Sequence, residues 1–189
     1  MINMIKILVA AIILLAFIDL GILGKKALRA LIFRTAKTQS PESLVLEWVT
    51  GLLVIGLSFA YYLKQQPQAD ITMWAGIIVF FAGAILQFIA RKQLYEEKTF
   101  EERLMSGFSA AQVGLYAKIR HPSKAALLLM MIGLCFALGS IWAFAVLVFL
   151  FIPSMLYRMS QEERALQDKF GERWIEYKED TKRIIPGVF

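Results

Sequence analysis

The sequence predicts an all-α, polytopic transmembrane bundle of five spans, ending in an amphipathic helix on the cytoplasmic side. Three observations lead there. Apolar residues make up 58% of the 189 positions and charged residues 19%, against about 45–50% and about 25% in soluble domains. That much apolar surface requires lipid as its solvent. The apolar residues also gather into runs rather than spreading at amphipathic spacing, and crossing about 30 Å of hydrocarbon takes about 20 residues rising 1.5 Å each. Finally, Lys and Arg concentrate in alternate connections between the runs. The length suits one membrane domain, residues 1–189, with no internal repeat.

The first run covers residues 4–24. Only Lys6 precedes its apolar core and Lys25, Lys26 and Arg29 follow; with no small-x-small cleavage pattern, it reads as a retained span rather than a removed signal. Residues 44–63 and 71–90 supply the second and third spans. Asp19 and Gln87 fall inside apolar runs, where a carboxylate is costly. Asp19 is expected either to line a substrate path or, more plainly, to sit close to the cytoplasmic end or pair with a neighbouring helix. The stretch from Ala125 to Met159 is too long for one crossing, and Gly139-Ser140 offers a tight turn near its middle. A hairpin of spans 125–139 and 141–159 follows. Pro153 removes a backbone donor within the fifth span and should kink it unless neighbours satisfy the freed carbonyl. Beyond it, Leu166, Phe170, Trp174 and Tyr177 recur at three- and four-residue spacing among charged residues, the pattern of one amphipathic helix lying on the bundle or the membrane surface.

Orientation follows from charge. The connection after the first span carries Lys25, Lys26, Arg29, Arg34 and Lys37; that after the third carries Arg91, Lys92, Lys98, Arg103, Lys118 and Arg120. The alternate connections hold only Lys64 with Asp70, and no charge around Gly139. The N-terminus is therefore expected outside and the C-terminus in the cytoplasm. The net charge of +6 reads as topology signal and contact with anionic lipid headgroups, not as nucleic-acid binding. Cys135 is the single cysteine, so no intrachain disulfide and no cysteine metal cluster can form, and no metal is expected.

Chemistry concentrates in two places. The segment Gly114 to Ser123 contains His121, the single histidine, followed by Pro122, a favoured first residue of a helix. His121 can meet a ligand at the mouth of the fourth span, or simply cap that helix. Past the fifth span come Arg158, Glu162 and Glu163. Arg158 and Glu162 are four apart and share a helix face, so they can pair or grip one polar ligand, while Glu163 is expected to point elsewhere. The plain alternative is a membrane-end anchor followed by solvated glutamates. If the hairpin forms, His121 and Arg158 return to the same surface and face one pocket.

These residues also carry a family resemblance. Gly114 and Tyr116, then Arg120 to Ser123, an apolar hairpin, Arg158 with Glu162 and Glu163, Leu166, Phe170 and Gly171, Trp174, Tyr177 and Lys178, and finally Arg183 and Pro186 follow in order. The pattern resembles the isoprenylcysteine carboxyl methyltransferase and phospholipid methyltransferase superfamily. The resemblance implies an integral membrane methyltransferase using S-adenosylmethionine. It places the cofactor-binding part in residues 108–189, with Tyr116, His121, Pro122, Ser123 and Glu162 at the cofactor. Arg158 is implied as the catalytic residue, facing the substrate side. The implied partners are membrane lipids and a lipophilic or prenylated acceptor entering from the bilayer.

Three departures from the pattern motivate a second reading, a non-catalytic membrane scaffold that keeps the fold. Lys124 and Ala126 stand where relatives have Tyr-x-Gly, Phe108 replaces a histidine, and Glu97 to Arg103 lacks the usual aromatic and polar run. Lys124 either binds an anionic headgroup of the substrate or snorkels to the interface.

Overall fold

The computed structural model describes residues 9–21, 41–65, 70–96, 114–185 and 187. They form α1 (Val9–Gly21), α2 (Pro41–Gln65), α3 (Ile71–Glu96), α4 (Pro122–Ala137), α5 (Ile141–Phe170) and α6 (Glu172–Asp180). Among the described residues the only β pairing is an isolated parallel bridge between Ile119 and Lys182. By length and composition α2, α3 and α5 can cross a membrane; the described part of α1, and α4, are shorter apolar helices. The basic connection at residues 25–37, Phe108 and the Glu97 to Arg103 segment lie outside the described residues.

The expected break at Gly139-Ser140 is present, and its chemistry is legible. Gly139 takes φ 68°, a left-handed conformation that costs glycine little. Ser140 Oγ then accepts the Ala143 N–H at 3.2 Å, capping the start of α5. At the other end of α4, Pro122 occupies the first turn and the His121 carbonyl accepts Lys124 N–H and Ala125 N–H, both at 3.0 Å.

Pro153 is accommodated by a change of helical period. Leu147–Phe151 form a π-turn in α5, in which the Ile152 N–H reaches back to the Leu147 carbonyl. The extra residue in that turn shifts the carbonyls that a proline ring would otherwise strike. Ser154 Oγ donates to the Phe151 carbonyl at 2.8 Å, a side-chain bond within the same turn.

Packing fixes which ends meet. α3 and α4 run antiparallel with their backbones touching: a Cβ on Gly133 would stand 2.4 Å from Phe80 N, and one on Gly76 2.2 Å from Ala137 N. Small residues permit such approach where lipid gives no hydrophobic drive between helices. α2 runs antiparallel to α5, Thr50 Oγ1 lying 2.9 Å from Ser154 Oγ. Met130, Met131, Leu134, Leu147, Phe151 and Phe80 fill the space between these helices.

Asp19 is paired by α3, the second of its two expected fates. Its carboxylate meets Arg91 Nη2 at 2.5 Å and accepts from Gln87 Nε2 at 3.1 and 3.2 Å. The pair ties the end of α1 to the end of α3. Asp70, at the other end of the bundle, accepts the Met73 N–H at 2.8 Å and the Thr72 hydroxyl. Those hydrogen bonds hold its carboxyl below the ordinary range.

The expected single amphipathic helix is two helices. α5 continues past the apolar stretch to Phe170, and Gly171 at φ 57° ends it before α6 begins. Leu166, Phe170, Trp174 and Tyr177 do share an environment, but as a small second core between the two helices. Tyr177 donates its hydroxyl to the Tyr116 carbonyl at 2.7 Å, so α6 docks on the bundle.

Candidate functional site

At the end of the bundle where α2 starts and α3 ends, the start of α4 meets the charged part of α5. Three carboxylates, Glu47, Glu162 and Glu163, join Lys124, Arg158, Arg120 and Arg183 in ion pairs there, with the His121 ring between Glu162 and Glu163. Glu47 on α2 is fully buried. Both its oxygens accept from Lys124 Nζ at 2.6 Å, and Oε2 lies 3.1 Å from Arg158 Nε. The Arg158 Nε–H is not aligned for a hydrogen bond, so that contact is an ion pair held by charge. Arg158 then turns its Nη2 to Glu162 Oε1 at 2.5 Å, the helical i, i+4 pairing expected from sequence. Glu162 Oε2 in turn lies 3.8 Å from His121 Nδ1.

His121 is held between consecutive carboxylates. Its Nε2 lies 3.3 Å from Glu163 Oε1, and its side chain is 9% exposed. The helix-cap alternative is met in position only: His121 occupies the cap of α4, but its side chain makes no capping bond. The expectation that Glu163 points away is corrected. An imidazole carries nitrogens on opposite edges, so neighbours on a helix can each meet one of them.

Glu163 is the more heavily engaged carboxylate. It accepts from Arg120 Nε at 3.2 Å, and from Arg183 Nε at 3.1 Å and Nη2 at 2.7 Å. Glu163 lies past Met159, beyond the apolar part of α5. Burial there would push its carboxyl up, but the His121 and Arg183 hydrogen bonds and charges win and bring it down to about 2. Arg120 also donates through Nη1 to the carbonyls of Lys178, at 2.8 Å, and Thr181. The segment after α6 runs beside the His121 loop: Arg120 N–H donates to the Lys182 carbonyl at 2.7 Å and His121 N–H to the Arg183 carbonyl at 3.0 Å.

The residues expected at the site are therefore distributed as follows. His121, Arg158 and Glu162 converge. Pro122 is buried and Ser123 half-buried in the first turn of α4. Tyr116 sits in the short 3₁₀ turn Gly114–Ala117, buried and tied through its carbonyl to Tyr177. Lys124 is 13% exposed and engaged with Glu47. Glu47 and the hub role of Glu163 were not anticipated. Glu47 had a signal, because it interrupts an apolar span near its beginning, as Asp19 and Gln87 do toward the ends of theirs.

The donor set suits S-adenosylmethionine, the cofactor that the sequence resemblance implies. Glu162, 23% exposed at its side chain, offers a carboxylate to hydroxyl or ammonium groups. The positive end of α4 offers complementary charge to a carboxylate. No curated protein and no solved structure matches the chain. The family model described as phospholipid methyltransferase does, over residues 71–173. That range runs from the start of α3 through the His121 loop and the Arg158–Glu162–Glu163 run into α6, more than half of the sequence. The chain belongs to the phospholipid methyltransferase family, a family of membrane methyltransferases.

Proposed function

We propose that the chain is an S-adenosylmethionine-dependent methyltransferase acting on a lipid-like acceptor from within the membrane. The five apolar helices then act as spans, the N-terminus lies outside, and the polar end with the C-terminus faces the cytoplasm. The observation that carries this reading is the convergence of His121, Arg158 and Glu162, from two helices, at the polar end of an apolar bundle. The family match favours a phospholipid headgroup over a prenylated cysteine as acceptor.

The cofactor supplies an electrophilic methyl group on a sulfonium with a good leaving group. The chain's own task is alignment and charge. Glu162, fixed by Arg158 on one oxygen and facing His121 with the other, would hold the cofactor by accepting hydrogen bonds from its hydroxyl or amino groups. His121 and the first turn of α4, with Pro122 and Ser123, form the adjoining wall, and Tyr116 closes the loop leading into it. Arg158 stands on the bilayer side, toward the acceptor, while Lys124 is taken up by Glu47. Because each charge is already paired, little reorganisation accompanies the reaction.

The non-catalytic reading rested partly on Lys124 and Ala126. Both have structural partners: Lys124 answers Glu47, and Ala126 lies where α4 meets α3, its carbonyl 2.9 Å from where a Cβ on Gly83 would be. Calorimetry with S-adenosylhomocysteine on protein in lipid nanodiscs tests the enzyme reading. The wild type binds, and Glu162→Ala weakens binding about 10- to 100-fold, the worth of one hydrogen bond to a charged group. A folded wild type that binds neither cofactor nor its product overturns the function; an unchanged Glu162→Ala overturns the role of Glu162.

A further inference from the structure

The matched family range begins at residue 71, yet the most buried carboxylate of the polar end lies before it. Glu47 is 0% exposed, on α2. A buried carboxylate is tolerated only when cations and hydrogen bonds replace its water. Lys124 supplies a full counter-charge, donating to both oxygens at 2.6 Å. The 3.1 Å approach of Arg158 Nε is therefore in excess of what neutralising Glu47 requires. Its effect falls on Arg158. An arginine side chain has several rotatable bonds, and Glu162 holds the guanidinium at Nη2. The Glu47 carboxylate stands 3.1 Å from the neighbouring Nε, so the planar group is held by two carboxylates from two helices. One turn along α2, the bond between Thr50 and Ser154 keeps the two helices in that register.

We infer that Glu47 is a positioning residue of the site, holding Arg158 in the orientation that meets Glu162 and the acceptor. The inference rests on the methyltransferase reading for its catalytic consequence but not for its structural one. Lys124 is then the counter-charge that lets Glu47 sit in an apolar helix. A purely structural Glu47 would serve only to neutralise Lys124, and the two roles separate when both members of that pair are removed together.

Wild type, Glu47→Gln, and the double variant Glu47→Gln with Lys124→Met are compared in nanodiscs. Glu47→Gln lowers the melting temperature, because Lys124 is left buried without its carboxylate. The double variant regains the wild-type melting temperature. Transfer of labelled methyl groups from S-adenosylmethionine to phosphatidylethanolamine vesicles nevertheless stays about 10- to 100-fold low in kcat, with S-adenosylhomocysteine affinity within about twofold of wild type. A second readout needs no catalysis. In protein labelled with [15N]arginine, the Arg158 Nε–H, assigned by its loss in Arg158→Lys, has a rigid order parameter of about 0.85 in wild type and falls below about 0.6 in the double variant. Recovery of activity together with stability in the double variant, or an unchanged Nε–H order parameter, overturns the positioning role. A wild type that binds no cofactor, with the Nε–H still loosened in the variant, sinks the methyltransferase reading and leaves the positioning role standing.

Discussion

Substituting Gly133 by alanine should damage the site from a distance, and the size of the effect can be worked from the helix contact. The added Cβ would stand 2.4 Å from Phe80 N and 2.7 Å from the Gly76 carbonyl oxygen, both backbone atoms that no rotamer change can move. Ordinary contact begins near about 3.5 Å, so α3 and α4 must part by roughly 1 Å. Overpacking of this kind costs about 1–3 kcal/mol. At about 2–4 °C per kcal/mol for a chain of this size, the melting temperature falls by about 2–12 °C. α4 carries His121 at its head, and a displacement of roughly 1 Å in a reacting array can cost about 100-fold in rate. Gly56→Ala on α2 is the control, because its Cβ would meet nothing within 4 Å. It should hold or raise stability, by about 0.5–1 kcal/mol. Thermal melting in detergent and S-adenosylhomocysteine calorimetry read both effects. Wild-type melting and binding in Gly133→Ala would refute the backbone contact, and with it the account of how α4 is seated.

Three further outcomes follow from the ion pairs and caps. Arg91→Leu should destabilise by about 3 kcal/mol, because it leaves Asp19 buried without its cation. Asp19→Leu should cost less, since Arg91 is 31% exposed and can turn to water; equal melting temperatures would contradict that asymmetry. Glu163 titrates at about 2 in the fold against an ordinary 4.5. The stabilisation its network provides is thus complete above 4.5 and is lost as the pH falls from there toward 2. Melting of the wild type should be level near neutrality and drop in acid, and Glu163→Gln should start lower and show a shallower acid drop. Ser140→Ala removes the cap at the α4–α5 turn and should cost about 1 kcal/mol, checked by the same melting curves.

Local features of this chain were legible because local chemistry sets them. Gly139-Ser140 ends one helix and caps the next whatever surrounds them, and Arg158 and Glu162 pair because a helix repeats every 3.6 residues. The errors came where tertiary packing decides. The apolar spacing from Leu166 to Tyr177 continues straight through Gly171, so periodicity shows one helix where a positive φ makes two. Glu163 faces away from Glu162 on a helical wheel, and only the position of the His121 ring brings both to one partner. Glu47 sits near the beginning of an apolar run, where a carboxylate reads as a boundary residue. Its partner Lys124 is 77 positions along the chain, and nothing in either neighbourhood announces the other.

The site is thus made less by a preformed cavity than by a sequence of shared charges, and this explains why it lies where the bundle ends. In hydrocarbon an isolated ion is prohibitively costly, whereas at the polar end each carboxylate can be shared among cations from different elements. Glu47 joins α2 to α4 and α5, and Glu163 joins α5 to the His121 loop and to the segment after α6. Each shared carboxylate ties several elements to one charge, so the elements are obliged to hold together. The same obligation fixes the groups that would otherwise swing freely, Arg158 above all. The contacts that keep the charged end folded are the ones that hold Arg158 against Glu162 and Glu162 beside His121.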